Sequence, residues 1–109
     1  MKRSSLGEFE EIVLLTTGVL YDNAYAVAIT NELNRQTGRK TSISAVHTAL
    51  YRLEEKGFLA SRLGDSEARR GGKRKRCFTI TPLGKTALDE AQSLRSSLRS
   101  RIPKIAFDF

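Results

Sequence analysis

Apolar positions recur at helical spacing in four stretches of this chain and alternate with polar ones in a fifth, and their order predicts the elements. Residues 8–21 read as a first helix, with Phe9, Ile12, Val13, Thr16, Val19 and Leu20 on one face. Leu14 and Leu15 add apolar surface beyond that face, which predicts contact with a second subunit as well as with the chain's own core. Asp22 and Asn23 interrupt the pattern and are suited to cap a second helix. That helix reads over residues 24–36, with Tyr25, Ala28, Ile29 and Leu33 inward, and is closed by Gly38. Ser42 then caps a third helix that runs to about Lys56, buries Val46, Ala49, Leu50 and Leu53, and stops at Gly57.

Beyond the third helix the period changes. Residues 58–63 suit a short strand and residues 76–81 a return strand, with a Gly, Asp, Ser and cation-rich loop over 64–75. Thr81-Pro82 opens a fourth helix, roughly 83–101, with apolar positions at Leu83, Ala87, Leu88, Ala91, Leu94 and Leu98, and Pro103 ends it. The tail from Ile105 to Phe109 is too apolar for a solvated end and is expected to dock on something. Three helices, a hairpin and a helix, with a tight turn between the second and third, predict a mainly α fold with a small β-hairpin. This is a winged helix-turn-helix with an added C-terminal helix. Residues 1–82 would form the winged unit and residues 83–109 a dimerisation element within one structural domain.

The chain is 109 residues long, enough for one domain, and carries a net charge of +7. The distribution says more than the total. Residues 1–34 are net −3, residues 35–76 net +8 and residues 77–109 net +2. Charge gathered on one segment points to a polyanionic partner. Cys77 is the single cysteine, so no intrachain disulfide forms, as suits a reducing cytosol. Met1-Lys2-Arg3 resembles the start of a signal peptide, but Glu8, Glu10 and Glu11 interrupt the apolar stretch that should come after it. The longest apolar run there, Ile12 to Leu15, is too short to span a bilayer. A cytoplasmic protein without membrane contact is expected.

Two groups of residues carry the candidate chemistry. With the buried stripe of the third helix fixed, its opposite face holds Ser44, His47, Thr48 and Tyr51, with Arg52 at the margin. These hydrogen-bonding side chains lie near a helix start, where helix-turn-helix proteins reach base edges in the major groove, and Ser42 offers the helix N-terminus to a phosphate. An ordinary polar helix face would show the same pattern. The stronger signal is the cluster Arg69, Arg70, Lys73, Arg74, Lys75 and Arg76 around Gly71-Gly72, suited to phosphates or a narrow minor groove. His47 is the sole histidine and no second ligand is visible near it, so no metal is expected. Neither a nucleophile triad nor a phosphate-cradling glycine loop is present, so neither an enzyme nor a cofactor is expected.

Leu6 to Leu15 (LGEFEEIVLL), Ala24 to Ile29 (AYAVAI), Ser44 to Gly57 (SAVHTALYRLEEKG) and Arg70 to Gly84 (RGGKRKRCFTITPLG) together resemble the PadR family of winged-helix transcriptional regulators. The chain looks like the subgroup with a single terminal helix. It departs from the family at Tyr25-Ala26, where Tyr-Gly is frequent, and at His47, where tyrosine is frequent. The resemblance implies a homodimer that binds double-stranded operator DNA, usually as a repressor, and that aromatic or drug-like ligands can release from it at a site near the dimer interface. No residue pattern here names such an effector. Opposite charge and apolar stripes on the first and last helices suggest that they pair across a two-fold axis. Phe9, Ile12, Leu15, Leu94, Leu98 and Ile102 are then the expected interface. A sequence-neutral nucleic-acid binder is the alternative; it accounts for the charge but not for the helix-turn-helix spacing.

Overall fold

In the computed structural model, which describes residues 6–64 and 75–109, α1 (Glu8–Leu20) is the helix around which the others pack. Three acids, Glu8, Glu10 and Glu11, occupy its first turn, where the helix dipole favours them. α1 buries Val13, Leu14 and Thr17, and the Thr17 hydroxyl donates to the Val13 carbonyl at 2.8 Å, which satisfies that hydroxyl inside the core. Val19 does not join this face. It is 71% exposed and lies on the same arc of the helix as Leu15, which is also exposed. The expected buried stripe is therefore corrected: Leu14 takes the inner place, because the second and third helices and the return strand pack against α1.

A 3-10 turn, Tyr21–Asn23, leads to α2 (Ala26–Thr37). Neither Asp22 nor Asn23 caps α2. Tyr25 holds the N-cap position in extended conformation, because residues 24–25 are tied to a strand: Phe78 N–H donates to the Ala24 carbonyl at 2.9 Å, and Tyr25 bridges Cys77. Ile29 and Leu33 are fully buried, while Tyr25 and Ala28 are only half-buried. Gly38 ends α2 at φ 74°, the left-handed conformation that glycine adopts without strain. α3 (Ile43–Glu55) comes next, capped by the Ser42 hydroxyl accepting the Ala45 N–H at 3.1 Å.

β1 (Leu59–Leu63) and β2 (Arg76–Ile80) pair antiparallel, from Leu59 opposite Ile80 to Leu63 opposite Arg76. Each strand is one residue shorter than the alternation suggests. Phe58 is taken by the end of α3, donating to the Leu53 carbonyl, and Thr81 is the N-cap of α4 (Pro82–Ser100). Phe58 and Phe78 complete the core with Leu50, Leu53 and Ile29.

The apolar stripe of α4 starts on this core and runs off its end. Gly84 is buried and Ala87, Leu88 and Ala91 are half-buried, whereas Leu94 is 58% and Leu98 54% exposed. The molecule is accordingly long, 62 × 34 × 20 Å, with a radius of gyration of 16.8 Å where a compact domain of this length has about 13 Å. Among the described residues the tail (a 3-10 turn, Lys104–Phe107) is not buried against the body of its own chain. Arg99 stacks over Phe107 at 5.6 Å, and Ile105 and Phe109 are exposed. Among the described residues no helix is long and apolar enough to cross a membrane.

Candidate nucleic-acid interface

Burying Val46, Ala49, Leu50 and Leu53 fixes the rotation of α3 and turns Ser44, Thr48, Tyr51 and Arg52 outward. His47 is half-buried and stacks on Tyr51, the rings 5.8 Å apart and 25° from parallel. The stack holds two planar groups with polar tips in one relative geometry. Thr48 Oγ1 donates to the Ser44 carbonyl at 3.1 Å, which leaves its lone pairs outward. Ser42 Oγ is committed as an acceptor to the Ala45 N–H, so toward a phosphate it has only its O–H to donate.

The position of α3 is held at both ends. At its start, Asn34 and Thr41 exchange two hydrogen bonds across the turn. At its end, Lys56 Nζ donates to Glu10 Oε1 at 2.6 Å, and the same oxygen accepts the Gly7 N–H at 3.3 Å. Burial of Glu10 raises its pKa, but the Lys56 and Gly7 hydrogen bonds and the charges of Lys56 and Arg52 outweigh it and hold the carboxyl below its ordinary value. Arg52 thus lies near enough to the start of α1 for its charge to act there as well as at the margin of the outer face.

Of the six cations expected at the hairpin, Lys75 and Arg76 are seen, both exposed; Arg69, Arg70, Lys73 and Arg74 lie outside the described residues. The Lys75 carbonyl accepts the Gly64 N–H at 2.7 Å, its ammonium sits 5.4 Å from the Tyr25 ring centroid, and Arg76 donates to Ser61 Oγ at 2.9 Å. Lys75 and Arg76 share one cleft with His47 and Tyr51, so the root of the hairpin and the outer face of α3 form one continuous surface. Val27, Asn31 and Ile43 line that cleft too and were not singled out from the sequence. Their signal was available: Val27 and Ile43 are apolar residues that fall outside the buried stripes of their helices.

The residues expected at a subunit interface divide. Phe9 and Ile12 pack partly on the chain's own core, while Leu15, Leu94, Leu98 and Ile102 are exposed. The charge match expected between the first and last helices exists within one chain, where Arg95 Nη1 lies 2.9 Å from Glu11 Oε1 and anchors α4 on α1. Glu8 and Glu10 are paired with Arg39 and Lys56. Among the described residues no cluster of three or more His, Cys, Asp or Glu could hold a metal ion.

The profile of the transcriptional regulator PadR-like family matches residues 13–90. Solved structures share the fold. A PadR-like transcription factor from Bacteroides fragilis superposes with a TM-score of 0.70 at 19% identity, covering 84% of each chain. A PadR family transcriptional regulator from Eggerthella lenta gives 0.69 at 23% identity, covering 91% of this chain and 86% of that one. A PadR-like transcriptional regulator from Bacillus cereus gives 0.68 at 17% identity, covering 84% of each. No curated protein sequence matches the chain.

Proposed function

The chain belongs to the PadR-like family of transcriptional regulators, and on that premise we propose that it is a sequence-specific repressor that binds operator DNA as a homodimer and is released by a small-molecule ligand. DNA-binding transcriptional regulation is the function of the family; the chain is a regulator, not an enzyme. The observation that carries the finer reading is the two-sidedness of α3, with one face locked into the core and the other presenting the His47–Tyr51 stack beside the cations Lys75 and Arg76. In this reading Ser44, His47, Thr48 and Tyr51 meet base edges, and Ser42 and Arg52 meet phosphates flanking them. The hairpin cations, Arg69, Arg70, Lys73 and Arg74 with Lys75 and Arg76, track the backbone. Glu54 and Glu55 keep the far end of α3 off the phosphates.

Dimerisation is supported by the apolar surface that one chain leaves uncovered. Leu94, Leu98 and Ile102 of residues 83–109 and Leu15 of α1 are exposed in a molecule already more extended than its length requires. Phe9 and Ile12, half-buried against the core, complete the proposed interface. Two readers on a two-fold axis would also cover enough base pairs for useful specificity, which one does not.

Selection from a random duplex library tests the proposal. An enriched motif with two-fold symmetry and half-sites about 10 base pairs apart, one helical turn, is expected. Recovery without any enriched motif would favour the sequence-neutral binder that the +8 charge of residues 35–76 alone would explain.

A further inference from the structure

Ile43 is the first residue of α3, and it is 40% exposed. Steps of four along the helix put it in one row with His47 and Tyr51. All three line the cleft between the start of α2, α3 and the root of β2. Val27, 58% exposed in the first turn of α2, lines it too, so the exposed apolar surface is shared by two elements and is not one stray side chain. Neither Val27 nor Ile43 belongs to the core. Lys75 and Arg76 line the same cleft, which sets aliphatic and cationic groups side by side.

The residues missing from this end of α3 are equally informative. In the major groove, Arg or Lys selects guanine, Asn or Gln adenine, and Asp or Glu cytosine, while apolar contact selects the 5-methyl group of thymine. Between Ile43 and Tyr51 there is no Arg, Lys, Asn, Gln, Asp or Glu. The hydroxyls of Ser44 and Thr48 pair with more than one base, and the neutral imidazole of His47 offers one donor and one acceptor. Of these selective contacts, only the apolar one is open to this stretch. The first residues of a recognition helix are the ones that reach base edges, and Ile43 holds the first place. We propose that Ile43 reads a thymine in each half-site through its 5-methyl group. This contact rests on the reading of α3 as the DNA-contacting helix.

Deoxyuridine pairs as thymidine does and lacks only the methyl group, so it isolates this contact. Each thymine of the enriched motif is replaced in turn by deoxyuridine, in both half-sites at once, and binding by the full chain is followed by anisotropy. At one position the wild type should bind about fifteenfold more weakly, roughly fourfold for each buried methyl lost. Ile43→Ala should bind the thymine and uracil duplexes within about twofold of one another. Ile43→Val, which keeps a branched apolar side chain, should retain most of the penalty. Both variants should keep the circular dichroism of the wild type, because Ile43 lies outside the core. At the same position a 5-methylcytosine–guanine pair should bind the wild type more tightly than cytosine–guanine, and Ile43→Ala should not distinguish them. A wild type that prefers the enriched motif but tolerates every uracil would overturn the methyl contact and leave the regulatory reading standing. So would an Ile43→Ala variant that keeps the full penalty. A wild type with no sequence preference would overturn both.

Discussion

Asn34 and Thr41 hold each other by two 3.0 Å hydrogen bonds, the Asn34 Nδ2 donating to the Thr41 carbonyl and the Thr41 N–H donating to Asn34 Oδ1. One side-chain amide thereby closes the turn between α2 and α3 like a base pair, and it fixes where α3 begins. Asn34→Ala leaves both backbone groups without this partner in a half-buried turn. We expect a loss of about 1–3 kcal/mol in urea unfolding, together with weaker DNA binding. Asn34→Asp keeps the acceptor but turns a carboxylate oxygen toward the Thr41 carbonyl, so it does not rescue.

Gly84 is a different kind of constraint. A Cβ there would stand 2.2 Å from the Phe58 carbonyl oxygen, a backbone atom that cannot swing aside. Gly84→Ala should therefore cost about 2–4 kcal/mol, measured as a shift in denaturation midpoint. Gly38→Ala meets no neighbour within 4 Å and strains only the left-handed backbone at φ 74°, so about 1 kcal/mol is expected. Equal costs for the two would contradict this account of how α4 is seated.

Glu10 makes stability depend on pH. Its carboxyl lies below the ordinary value of 4.5 in the folded chain, mainly because the Lys56 and Gly7 hydrogen bonds outweigh burial. The folded state therefore binds this proton less readily than the unfolded one. The contribution is fully present above about pH 4.5 and fades as the pH falls through the lowered folded value. Lys56→Met removes the strongest opposing contact and leaves the burial. Unfolding free energy compared at pH 7 and pH 3 should drop less in Lys56→Met than in wild type.

The exposed half of α4 predicts an assembly. Leu94→Glu combined with Leu98→Glu alters positions that touch nothing in the core, so circular dichroism should be unchanged. Sedimentation should show a dimer for wild type and a monomer for the double variant, and the variant's DNA affinity should fall at least tenfold, because a bound dimer gains from the effective concentration of its second reader. A wild-type monomer would remove the support for residues 83–109 as the dimerisation element.

The element order and the buried stripe of α3 were legible because Val46, Ala49, Leu50 and Leu53 repeat at helical spacing with polar residues between them. α1 was harder. It is apolar nearly all round, and periodicity alone does not say whether Leu14 or Val19 faces inward; packing of α2, α3 and β2 on one side decides it. The tie between Ala24 and Phe78 joins residues 54 positions apart, and no local pattern encodes such a pairing. The cleft was missed for the same reason. Tyr25, Val27, Ile43 and Phe78 come from three separate elements, and each alone reads as an ordinary surface or core position. The cations at Lys75 and Arg76 were legible from composition, but their sharing a surface with Tyr51 was not.

The central claim is that α3 reads sequence while the hairpin cations supply affinity. Fluorescence anisotropy of the selected duplex against a scrambled one of equal length, at about 50 and about 200 mM salt, tests it most directly. The account predicts a preference of roughly a thousandfold that narrows in Tyr51→Ala, and a steep, sequence-independent loss of affinity at the higher salt that Arg76→Ala makes shallower. A preference below about tenfold in the wild type, or equal loss of preference in both variants, would contradict it.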